Sequence, residues 1–165
     1  MTHTLKRAVV VSALFGLSLG LPLASAQTVI KIATPETLMP ILKTAGYTAT
    51  VDRTGKSPFL KVENKTDGND FYIDFLNCNT SSCDGAFANV FYTATDFKTK
   101  PDLKVINAWN KEYFSQAYMD DKGNPHLIST YTFVGGFTSA NFLDWVQTFY
   151  DEINQYNDIL DGKGK

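Results

Sequence analysis

The sequence predicts an α+β fold, a two-layer sandwich of helices packed on one antiparallel sheet, in the order α-β-β-β-β-α-β-β-α. Two observations predict it. Apolar residues recur at helical spacing in three separate stretches. The six extended runs between them are bounded by turn residues, and most are joined by connections that suit antiparallel neighbours and are too short for parallel crossovers.

The first helix opens at Thr34-Pro35-Glu36. The threonine hydroxyl caps free amides, the proline lacks an N–H where none is needed, and the acid sits where the helix dipole favours it. Leu38, Ile41, Leu42 and Ala45 then share one stripe, and Gly46 ends the helix. Tyr47 to Asp52 and Ser57 to Glu63 flank Arg53-Thr54-Gly55-Lys56 as a hairpin, with Pro58 marking an edge or strand end. Phe71 to Leu76 follows the turn Thr66-Asp67-Gly68-Asn69. Ala86 to Ala94 carries Phe87, Asn89, Phe91 and Thr93 on one face, and Ala88, Val90 and Tyr92 on the other. A second helix is expected over 101–115, with Leu103, Ile106, Asn110 and Tyr113 down one side and Trp109 beside them. Gln116 to Asp120 and His126 to Val134 form the last two strands, joined by Asp121-Lys122-Gly123-Asn124-Pro125, and Gly135-Gly136 breaks the second. From Thr138-Ser139 onward, Phe142, Trp145, Val146, Phe149, Ile153, Tyr156 and Leu160 keep the 3.6-residue rhythm of a long final helix. Residues 161–165 are a Gly- and Lys-rich tail expected to fray.

The amino terminus sets the compartment. Lys6 and Arg7 precede an uncharged apolar run from Ala8 to Leu21, followed by Pro22 and Ala24-Ser25-Ala26. These are the parts of a secretory signal, with cleavage expected after Ala26. The run is too short for a stable bilayer-spanning helix, so no membrane insertion is expected after cleavage. Residues 1–26 are read as a signal peptide and 27–160 as one α+β domain, periplasmic or secreted. Removing 26 residues from 165 leaves 139, enough for one core. Losing Lys6 and Arg7 takes the net charge from −2 to −4. With no cluster of cations to displace phosphate counterions, nucleic acid is excluded as a partner.

In an oxidising compartment, Cys78 and Cys83, the only two cysteines, are expected to form a disulfide across the connection between the third and fourth strands. Zinc needs three or four ligands, and after cleavage only these thiols and the distant His126 remain. Redox exchange favours Cys-x-x-Cys at a helix start, which this spacing is not.

No catalytic set emerges. His126 lacks a nucleophile signature around it and reads as a surface residue at a strand start. Asp120 to Asn124 offers oxygens without the alternating register of a calcium loop, and reads as a solvated turn. Asp151 and Glu152 read as solubilising charges on a helix surface. Asn107, Trp109 and Asn110 are the candidate residues: two amides on one helix face that either bond a neighbouring strand and lock the second helix, or grip a peptide.

Four stretches carry a resemblance by their order and spacing: TLMPILKTAGY, FYIDFLNCNTSSC, INAWNKEYFSQAYMDDKGNPHLIS and FVGGFTSANF. Over nearly the whole chain after residue 26 they resemble the YbjN-domain family, a bacterial group whose fold is similar to type III secretion chaperones. The resemblance implies a chaperone-like α/β domain and supplies no catalytic residues. The secretory signal departs from cytoplasmic secretion chaperones.

The expected function is a non-enzymatic exported module, chaperone-like or regulatory, that engages a protein or peptide through its sheet or helix surface, without cofactor or metal. A homodimer is among its expected forms. The chain holds 12 Phe, 8 Tyr and 2 Trp, more aromatic surface than a core of this size covers. The alternative is a small-molecule carrier or sensor with an aromatic pocket between sheet and last helix, lined by Phe71, Phe91, Trp145 or Phe149.

Overall fold

Thr34 begins the fold as the sequence suggests: its hydroxyl accepts from the Thr37 N–H, and the Thr37 hydroxyl accepts from the Thr34 N–H, a reciprocal cap. A computed structural model describes residues 27–55, 57–66, 69–93, 95, 97 and 101–163. The expected signal peptide, the middle of the turn at 66–69, the end of the fourth predicted strand at Ala94 and the last two tail residues lie outside the described residues. The elements are α1 (Pro35–Thr44), β1 (Tyr47–Asp52), β2 (Phe59–Asn64), β3 (Asp70–Leu76), β4 (Gly85–Phe91), α2 (Leu103–Glu112), β5 (Gln116–Met119), β6 (Pro125–Thr132) and α3 (Ser139–Leu160). This is the predicted order. Among the described residues no helix is long and apolar enough to cross a membrane.

The strands form one antiparallel sheet ordered β1-β2-β3-β4-β6-β5. Consecutive strands pair as far as β4. The chain then leaves through α2, lays β5 at the far edge, and returns β6 between β4 and β5.

Alternation gives the sheet two unlike faces. Leu60, Val62, Phe71, Ile73, Ala88 and Leu127 point to the helical side and are fully buried. Opposite them, α3 contributes Phe142, Val146, Phe149 and Ile153 along one stripe, and α1 contributes Leu38 and Leu42. α3 has 22 residues and runs about 33 Å, long enough to cross the whole layer.

Helix stripes depart from expectation in two places. Ala45 is an exposed C-cap. Leu103 is 65% exposed, so α2 buries only Ile106 and Trp109. α2 also stops short of 115, because Tyr113 turns extended at φ −118°, ψ 159°.

Three loops meet in a clasp. Ile30 bridges Phe137 through both main-chain bonds, 2.7 and 3.0 Å. Lys31 Nζ donates to Gly135 O, the Cys83 N–H donates to Ala33 O, and the Ala33 N–H donates to Ser82 Oγ. Gly136 permits this closeness: its φ is +98°, and a Cβ there would stand 2.6 Å from Val29 Cγ1.

Candidate binding face of the sheet

Among the described residues, the helices pack against one side of the sheet. On the other side, a row of rings runs diagonally from β2 to β5. Phe59 meets Tyr72 at 5.9 Å between centroids, and Tyr72 stacks on Phe91 at 5.7 Å and 15°. Phe91 reaches His126 at 6.2 Å, and His126 stacks on Tyr118 at 4.6 Å and 9°. The register explains the row. Phe91 lies opposite His126, and His126 opposite Tyr118, whereas Tyr72 lies opposite Asn89 and reaches Phe91 diagonally. Phe91 is 57% exposed and Tyr118 44%. Such a continuous aromatic strip on a free surface is uncommon in a protein that binds nothing.

Polar groups bracket the strip with negative charge. Asp74 accepts from Asn89 Nδ2, and burial holds its carboxyl above the usual aspartate range, with the Asn89 bond pulling the other way. Lys61 Nζ sits 2.8 Å from both Glu63 and Asp70. Asp120 Oδ2 is 3.8 Å from His126 Nε2. The Asn124 N–H, 2.8 Å from Asp120 Oδ1, leads in holding the Asp120 carboxyl below its ordinary value. Thus the Asp120 turn is built by its own carboxylate, and His126 belongs to the aromatic strip. The strip is not legible in the sequence, because alternation orders side chains within one strand, whereas Tyr72, Phe91 and His126 sit on three strands and share a face only through the pairing of those strands.

The residues singled out beforehand divide. Trp109 is 1% exposed, stacked on Tyr113 at 3.8 Å, with its indole N–H donating to Ser115 O and Oγ. Asn110 holds β5: its Nδ2 donates to Ala117 O at 3.0 Å and its Oδ1 accepts from the Ala117 N–H at 2.7 Å. Asn107 is exposed. Cys78 and Cys83 are joined in a disulfide that closes the β3–β4 connection. Among the described residues, no group of three or more His, Cys, Asp and Glu is placed to hold a metal ion.

Two expectations are corrected. Glu152 is 5% exposed, and its carboxylate accepts from the Phe114 and Ser115 N–H groups at 3.0 Å each, so it is a structural bolt and not a solubilising charge. The four rings of the expected pocket do not share one space. Phe71 and Phe149 are packed edge to face in the core at 5.6 Å, Trp145 donates to Ser129 Oγ at 2.9 Å, and Phe91 stands on the opposite side of the sheet.

The YbjN family model, described as "Putative bacterial sensory transduction regulator", matches residues 34–161. The chain belongs to the YbjN family. In this YbjN protein the match begins at the α1 cap and ends just after α3, so it takes in the whole sheet and the aromatic strip. Among curated proteins, none matches the chain.

Proposed function

We propose that this YbjN protein is a non-enzymatic, exported binding module whose open sheet face receives a Lys- or Arg-bearing segment of a partner protein. The observation that carries the reading is the uncovered strip Phe59-Tyr72-Phe91-His126-Tyr118. Its chemistry selects the partner. Among the described residues of β1 to β3, Asp52, Glu63, Asp70 and Asp74 share the strip's face with one lysine, Lys61, so a cationic segment gains Coulomb attraction as it approaches. Each cation lying over an exposed ring adds about 0.5–1 kcal/mol. A regulator that works by binding needs no more chemistry than this.

The test is a titration of the mature protein, followed by amide NMR, with an extended peptide alternating Lys and Leu and with its Glu-for-Lys counterpart. The basic peptide shifts strip resonances and the acidic one does not. Phe91→Ser with Tyr118→Ser keeps the fold, because neither side chain belongs to the buried core, and weakens binding about tenfold or more. Equal binding of both peptides, or full binding by the double variant, overturns the reading. Export is tested on protein recovered from producing cells. A chain starting at Gln27 in the envelope or medium, with its thiols oxidised, supports it; an intact amino terminus with free thiols in the cytoplasm overturns it.

A further inference from the structure

The sheet has two edges, and they are finished differently. In an antiparallel strand the N–H and C=O of one residue point to the same side, alternating along the chain. At the β5 edge, the outward pair on Ala117 is taken by the Asn110 amide. β5 is also only four residues long. That edge offers a further strand only the outward pair on Met119.

The β1 edge is open. The Asn64 N–H bonds Asn69 O on the β3 side, so Val62 and Leu60 also turn toward β3, while Phe59, Lys61 and Glu63 turn toward β1. Their partners Asp52, Thr50 and Thr48 face β2, which leaves the main chains of Ala49 and Val51 facing outward. Among the described residues nothing pairs with them. β1 is an unbroken six-residue strand with no Pro, Lys or bulge to blunt it. Beside it, α1 leaves an apolar groove of about 610 Å³ lined by Met39, Pro40, Tyr47 and Ala49.

We infer that β1 pairs with β1 of a second copy, joining two sheets into one antiparallel sheet about a two-fold axis. Charge chooses this occupant. Lys43 and Lys65 sit at the Tyr47 end of the groove, since Lys65 follows Asn64, the register partner of Tyr47. Glu36 lies at the other end, beside Asp52, where it pairs with Arg53. A two-fold axis makes the strands antiparallel and brings each basic end against the partner's opposite end, where the carboxylates of Glu36 and Asp52 outnumber the guanidinium of Arg53. In the register that lets the outward groups meet, Ala49 stands opposite the partner's Ala49. Thr48 then stands opposite the partner's Thr50, a cross-strand pair that sheets favour. The aromatic strip lies on the other side of the sheet, so the pairing leaves it free and does not depend on what it binds.

Sedimentation of the mature protein tests this. A dimer that dissociates on dilution, and more readily at high salt, is expected. Ala49→Pro removes one outward N–H while sparing the β2 ladder, and yields a folded monomer. Lys43→Glu with Lys65→Glu weakens association tenfold or more at low salt, and gives a second reading if the proline variant fails to fold. Amide exchange at Ala49 and Val51 slows as concentration rises. A monomer at concentrations on the order of hundreds of micromolar overturns the proposal. So does a dimer that survives the charge reversal with those two amides still exchanging freely.

Discussion

Asp74 shows how one residue on the open face carries opposing demands. It accepts from Asn89 and so orders the centre of the strip, yet burial lifts its pKa above the ordinary 3.8. Between those two values the folded protein holds a proton that the unfolded chain releases, so stability falls as pH rises through the window. At neutral pH the full cost is present; in acid below 3.8 it is gone. Asp74→Asn is therefore expected to raise the melting temperature at pH 7, with the gain vanishing in acid, as thermal unfolding across pH would record. Asp120 has the opposite sign. Its lowered pKa, set first by the Asn124 N–H, contributes stability above 3.8 that is lost as pH falls through the lowered value. Residue roles were legible where local chemistry decides them, as with the Thr34 cap and the Asp120 turn. Those set by distant partners were not: nothing near Glu152 in the sequence signals that two amides almost forty residues away need its carboxylate.

At the scale of elements, Glu152 is where α3 holds the turn between α2 and β5. Glu152→Ala would strand the Phe114 and Ser115 amides and is expected to cost about 2–4 kcal/mol, read from urea unfolding. Glu152→Gln, which keeps an acceptor, should cost less. The same turn receives the Trp109 indole, so three elements converge there. The β3–β4 connection is fastened by different means: its disulfide closes a short loop, which on chain-entropy grounds contributes about 2 kcal/mol. The existence of each helix and strand was readable because periodicity and turn residues are local signals. Element ends were less so, as where α2 stops at Tyr113 and β4 at Phe91. The placing of β6 between β4 and β5 was not readable at all, since it is fixed by pairing between strands that no local pattern encodes.

For the whole molecule, the decisive asymmetry is a sheet with helices on one side. β4 shows why the sequence was silent on which side. Phe87 and Phe91 alternate with Ala86, Ala88 and Val90, so its larger rings lie on the open face, and parity alone does not say which face the helices will choose. α3 decides it by supplying the longest apolar stripe. The clasp of Ile30 on Phe137 has a mechanical meaning. Phe137 directly precedes Thr138, the cap of α3, and Ala33 is stitched to the cystine loop. Tension applied to the amino-terminal end would therefore reach the doorway of the longest helix before any strand felt it. A tethered copy would give way there first, by peeling two short bonds, and leave its six-stranded body whole.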